Sequence, residues 1–116
     1  MRRRDWRTAL RAYAAGIEQH LQLGHPISIE LIGVATAFAG MGCYEPAAVI
    51  FGLEHAMFPG HPSTALAPDD LVQGAEDAIS AAFDPDQLAE LKARGAAMDL
   101  ASAAVYLRRE GDRILA

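Results

Sequence analysis

Apolar side chains recur at three- and four-residue steps along most of this chain, which is the spacing of an amphipathic α-helix. The pattern is clearest after Ser28, where the residues at positions i, i+3, i+4 and i+7 of one stripe share a single side of a helix. An alanine within this stripe would let a neighbouring helix approach closely. The residues of the stripe are Leu31, Val34, Ala35 and Phe38.

A short break and a second helical stripe follow. Gly42 fits the position just past a helix end, where a left-handed backbone closes the last turn without Cβ strain. Pro46 fits the first turn of the next helix, because the N–H that proline lacks would have no partner there. The sequence therefore predicts two antiparallel helices packed face to face, an αα-hairpin over residues 28–61. The second helix opens at Tyr44, and its inner face carries Ala47, Ala48, Phe51 and Met57.

A helix and a loop are predicted on either side of the hairpin. Apolar residues from Trp6 to Leu21 recur at helical spacing, which predicts a helix over residues 5–23 that ends at Gly24. The stretch over residues 59–67 contains two prolines and a glycine, so it is expected to be a loop.

The second half of the chain predicts three more helices. One begins at Pro68, because proline and the carboxylates after it suit the positive end of a helix dipole. The next has Asp84 as the N-cap of a capping box and is expected to end at Gly95. Asp99 is expected to cap a last helix that fades at Gly111. The fold class predicted is all-α, with about six helices.

The hairpin resembles a tetratricopeptide repeat, a helix pair of about 34 residues. With the repeat begun at Ser28, both stripes and the turn glycine fall on positions that are characteristic of that family. The repeat is degenerate, because Leu31 replaces Trp, Ala35 replaces Gly, and Glu54 stands where a small residue is usual. The resemblance implies a tetratricopeptide-like hairpin followed by a C-terminal three-helix segment. The matching positions are Val34, Phe38, Gly42, Tyr44, Ala47, Phe51 and Pro59.

A second resemblance covers residues 28–110. A helical hairpin, a Pro-containing loop, an acidic helix and a closing helix occur in the order found in the C-terminal helical region of bacterial ATPase-type transcriptional regulators of the LuxR and MalT kind. In those regulators such a region follows a nucleotide-binding module and often precedes a DNA-binding helix-turn-helix. The resemblance implies a non-catalytic interaction or sensor module. The segments that carry it are Ala47–Met57, Pro59–Pro68, Leu71–Phe83 and Gly95–Leu107.

Length and composition limit the class of protein. The 116 residues suit one domain with a modest core, containing the hairpin at 28–61 and the C-terminal helices at 68–110. A net charge of −5 argues against direct contact with nucleic acid. The single cysteine, Cys43, is typical of a reducing cytoplasm. The most apolar stretch, Ile27–Met41, contains Glu30 and is too short to span a bilayer. We therefore expect a soluble, cytoplasmic protein without membrane contact, and the resemblance to the regulators implies that it is bacterial.

No catalytic or cofactor site is predicted. The glycines around Met41 lack the Lys and Ser/Thr of a phosphate-binding loop, and no late helix carries the row of polar side chains that reads DNA. None of the histidines forms the i, i+4 pair with a glutamate between that a helical zinc site needs. We expect no enzymatic activity, no metal and no cofactor. The weakest hypothesis is a small metal protein or enzyme that uses His55 and His61.

The inner surface of the first hairpin helix is the candidate binding groove. In the repeat register, Ile29, Ile32, Thr36 and Ala39 face the concave side, where this chain is mainly apolar. Such a surface binds an amphipathic helix of a partner, pairs with a second copy, or is covered by the chain's own later helices. One hypothesis is therefore an interaction module related to an ATPase-type regulator. The other is a standalone scaffold that homodimerises through the Ile29/Ile32 face.

Overall fold

In a computed structural model, described for residues 3–24, 28–58 and 69–115, the chain forms six α-helices. These ranges contain no strand, so the prediction of an all-α fold with about six helices is confirmed. The helices are α1 (Arg3–Gln22), α2 (Ser28–Gly40), α3 (Tyr44–Met57), α4 (Asp69–Ala82), α5 (Pro85–Ala96) and α6 (Leu100–Leu115). None of them combines the length and the apolar character that a membrane-spanning helix needs.

The predicted hairpin is formed by α2 and α3. Gly42 has φ +80°, and its N–H donates to the Ala39 carbonyl at 3.0 Å. The Cys43 N–H donates to the Phe38 carbonyl at 2.8 Å, which completes a Schellman ending for α2. Because a three-residue turn joins two helices that pack together, they run in opposite directions. Phe38, Ala47 and Phe51 share one buried core, against which Tyr44 packs, so the predicted hairpin is confirmed.

The hairpin lies at the centre of the molecule. Every residue of α3 from Pro46 to Glu54 is buried, and so is every residue of α2 from Leu31 to Ala39 except Gly33. On one flank α1 packs against α2 and also against α6. On the other flank α5 packs along α3, while α4 contacts α2, α3 and α5. The central helices are therefore apolar on all sides, which is why neither shows a strongly one-sided pattern.

Helices α5 and α3 approach each other closely at two glycines. A Cβ atom on Gly95 would overlap the carbonyl oxygen of Val49, and a Cβ atom on Gly52 would overlap the carbonyl oxygen of Lys92. The prediction that Gly95 ends its helix is wrong, because α5 continues to Ala96. Gly95 is present because backbone from α3 occupies the space of a side chain.

Side-chain caps begin the two last helices as predicted. The Asp84 carboxylate accepts from the Gln87 N–H at 2.8 Å, and the Asp84 N–H donates to the Gln87 side chain at 3.2 Å. The Asp99 carboxylate accepts from the Ser102 N–H at 2.7 Å, and this bond lowers the pKa of Asp99. The predicted end at Gly111 is wrong, since α6 continues to Leu115 with Gly111 buried. The predicted loop at 59–67 lies outside the described residues.

Candidate functional site

The candidate groove on α2 is closed within the described chain. Ile32 has an exposed fraction of 0%, Thr36 of 7% and Ala39 of 6%, while the side chain of Ile29 lies outside the described part. The cover comes from contacts of α2 with α1, α3 and α4. Self-coverage was one of the alternatives left open by the sequence. These side chains form core and do not line an open groove.

An open apolar surface occurs instead on the outer side of α6. Val105 is 63% exposed there, and around it lies a shallow groove of about 350 Å³. At one side of the groove, the Arg109 guanidinium lies 5.9 Å from the centre of the Tyr106 ring, a cation–π distance. Sequence reasoning missed this surface because Val105 stands off the buried stripe of α6. The residues that line the groove are Met98, Ala101, Ser102, Val105, Tyr106 and Arg109.

Tyr106 is the buried member of that groove. It is 4% exposed, and its hydroxyl has no hydrogen-bond partner within the described residues. Burial raises the pKa of Tyr106 from its ordinary 10.0 to about 12, and the charge of Glu110 adds to the increase. The neutral phenol is therefore favoured strongly in the folded chain.

We expect the Tyr106→Phe variant to lose less stability at alkaline pH than the wild type. The pKa of Tyr106 is higher folded than unfolded, so the unfolded chain releases the phenolic proton first as pH rises. The stabilisation that the protonated Tyr106 phenol gives the folded chain is complete below the ordinary pKa of 10.0. It is lost as the pH rises towards about 12. Urea midpoints at about pH 8 and about pH 11 should therefore differ less in the variant than in the wild type.

The half-buried Tyr44 supplies the matched control for this measurement. Tyr44→Phe should leave the alkaline fall of the wild-type midpoint unchanged, because this variant keeps the buried phenol of Tyr106. The prediction would be contradicted if the urea midpoint of Tyr106→Phe fell as much at alkaline pH as that of the wild type.

A second concave site lies where α3, α4 and α5 meet. This cleft of about 310 Å³ has an apolar floor that includes Phe51, 1% exposed, and Ile79, 2% exposed. Its rim is polar and carries charges of both signs. In the rim, the Gln73 side-chain amide donates to the Asp77 carboxylate at 2.9 Å. The other polar residues that line the cleft are His55, Glu76, Ser80 and Lys92.

The histidines that the structure describes each lie beside a carboxylate. His20 Nδ1 is 2.6 Å from Glu30 Oε1, which joins α1 to α2. His55 Nε2 is 3.6 Å from Glu54 Oε2, and the Glu54 side chain is fully buried. His61 lies outside the described residues. Within those residues no group of three or more His, Cys, Asp or Glu side chains is placed to hold a metal ion.

Cys43 lies in the turn between α2 and α3. Burial raises the pKa of its thiol, and the nearby charge of Arg113 opposes that increase only in part. The neutral thiol is therefore favoured, whereas a nucleophilic cysteine needs a lowered pKa. The guanidinium of Arg113 lies 2.6 Å from the Glu110 carboxylate, so the charge that faces Cys43 is paired.

Comparisons of the chain with family models, with curated proteins and with solved structures find no match. The resemblances to a tetratricopeptide repeat and to regulator helical regions thus stay predictions from the residues. Within the described residues, the α6 groove and the cleft between α3, α4 and α5 are two concave sites from which a function can be argued.

Proposed function

We propose that this chain is a non-catalytic helical interaction and sensor module, related to the C-terminal helical regions of ATPase-type transcriptional regulators. The observation that carries the proposal is the exposed apolar groove around Val105 on α6. Val105 and Leu23 are the large apolar side chains that the described residues expose strongly, and of these two Val105 lines the α6 groove. A groove of this kind can receive an apolar side chain of a partner segment.

The chemistry of the groove indicates what kind of partner fits. Met98, Ala101 and Val105 offer an apolar strip along the start of α6, and the Arg109 guanidinium closes it on one side. A segment that places an apolar side chain on Val105 and a carboxylate on Arg109 would satisfy both. The partner we propose is therefore a protein segment with alternating apolar and acidic residues, supplied by another module of the regulator.

Two observations support a role without chemistry. Burial raises the pKa of the Cys43 thiol and so favours its neutral form, and the described histidines each lie beside a carboxylate. A homodimer through the Ile29/Ile32 face is not proposed, because Ile32 is fully buried and would have to leave the core.

Val105→Asp is expected to weaken partner binding at least tenfold. The change removes a central apolar anchor and places a carboxylate in the groove, which corresponds to about 1.4 kcal/mol or more. The partner to use is the nucleotide-binding module encoded in the same reading frame or in an adjacent gene. Binding would be measured by isothermal titration calorimetry, with far-UV circular dichroism as the check on folding.

Leu23→Asp is the matched control for that experiment. Leu23 is 64% exposed, almost as exposed as Val105, but it does not line the groove. The Leu23 variant should bind like the wild type. The proposal fails if Val105→Asp binds as tightly as the wild type or if no encoded module binds. It also fails if sedimentation shows a dimer of this chain that Val105→Asp dissociates, since the occupant would then be a second copy.

A further inference from the structure

The cleft between α3, α4 and α5 has the size of a small-molecule site. Its volume of about 310 Å³ lies at the lower end of the range typical of ligand pockets, about 300–1,000 Å³. The cleft exists because α5 packs extensively on α3 through the two glycines, whereas it touches α4 only slightly. The gap that remains has room for a small molecule.

The floor and the rim of the cleft offer different chemistry. Phe51, Ile79 and Leu88 form an apolar floor that would bury an apolar side chain. On the rim, α4 supplies the carboxylates of Glu76 and Asp77, while α5 supplies the ammonium of Lys92.

The opposite charges of the rim come from two different helices. Among the described residues no ion pair joins Lys92 to Glu76 or to Asp77, although all three side chains line the same cleft. Lys92 and Glu76 are both half-buried, so each charge is partly removed from water. A ligand that carries an ammonium at one end and a carboxylate at the other would pair with both sides of the rim.

We propose that this cleft binds a small zwitterion of the α-amino-acid class with an apolar side chain. The ligand ammonium pairs with Glu76 and Asp77 on α4, and the ligand carboxylate pairs with Lys92 on α5. The apolar side chain lies on the floor formed by Phe51, Ile79 and Leu88. Such a ligand joins α4 to α5 across a contact that is slight without it.

The first test uses the wild-type chain and a series of related probes. Amide chemical shifts of the isotope-labelled protein would be followed during titration with L-phenylalanine and with L-leucine. The two analogues that lack one charge are 3-phenylpropanoate, without the ammonium, and 2-phenylethylamine, without the carboxylate. We expect saturable shifts from α4 and α5 with the amino acids, and affinities at least about tenfold weaker for each analogue.

Two variants separate the contributions of the rim. Lys92→Met should weaken L-phenylalanine binding about tenfold while leaving the affinity for 2-phenylethylamine unchanged, because that probe has no carboxylate. Glu76→Gln should weaken L-phenylalanine binding and leave 3-phenylpropanoate unchanged. The control is Glu90→Gln, since Glu90 is an exposed carboxylate of α5 that does not line the cleft.

The proposal is overturned if neither amino acid gives saturable shifts, or if 2-phenylethylamine binds as tightly as L-phenylalanine. It is also overturned if both rim variants bind L-phenylalanine like the wild type. If a variant fails to fold, the probe series with the wild-type protein still tests the proposal. The cleft shares no residue with the α6 groove, so failure here is distinguishable from failure of the proposed function.

Discussion

Gly95→Ala is expected to destabilise the chain by about 3 kcal/mol, the upper part of the range for overpacked cores. A Cβ at this position would overlap the Val49 carbonyl oxygen and approach the Leu53 backbone nitrogen at 2.9 Å. Both neighbours are backbone atoms in the buried middle of α3, so they cannot turn aside as a flexible side chain can. The added methyl must push α5 away from α3. Guanidinium unfolding followed by circular dichroism would measure the loss.

Gly74→Ala provides the matched control for Gly95→Ala. Gly74 also lies inside a helix, yet it is exposed and a Cβ there would meet no atom within 4 Å. Alanine should therefore stabilise α4 by up to about 1 kcal/mol through its helix propensity. If the two alanine variants changed stability in the same direction and by similar amounts, the close contact between α3 and α5 would be refuted.

Phe38→Ala is expected to cost about 3–5 kcal/mol, because truncation removes a large apolar side chain and leaves a cavity in the core. Phe38 is fully buried between α2 and the helices around it. Its own carbonyl accepts the Cys43 N–H that ends α2, so the surrounding backbone has little freedom to collapse into the cavity. Equilibrium denaturation at several denaturant concentrations would give the change in free energy of unfolding.

Leu23→Ala tests whether the loss from Phe38→Ala depends on burial. Leu23 is a large apolar residue that is 64% exposed, so its truncation should change stability by no more than about 0.5 kcal/mol. A cost below about 1 kcal/mol for Phe38→Ala would be smaller than core truncations show and would place that ring outside the interior.

Much of the local structure could be predicted because its causes lie within a few residues. Gly42 adopts the positive φ that its place after a helical stripe requires. Asp84 and Gln87 complete each other's hydrogen bonds three residues apart. The stripe around Phe38 could be predicted as core because helical periodicity brings its side chains to one side, and these side chains are buried.

The predictions that failed or stayed open depend on partners far away in the sequence. Gly95 was predicted to end a helix, but a glycine is needed there because the backbone at Val49 occupies the space of a side chain. Ile32 and Thr36 are buried because α1, α3 and α4 pack around α2, which periodicity within α2 could not show. In the same way, the Arg7 guanidinium donates to the Ile114 carbonyl at 3.3 Å and so joins the two ends of the described chain.

The sequence by itself determined the helical class, the caps that begin α5 and α6, and the turn of the hairpin, because periodicity, capping and φ preference act between near neighbours. Only the tertiary structure decided which surfaces stayed open. It closed the face of α2, left Val105 exposed on α6, and set Lys92 across a cleft from Glu76. Those outcomes depend on which helices approach one another, and that is decided by the packing of side chains from distant parts of the chain.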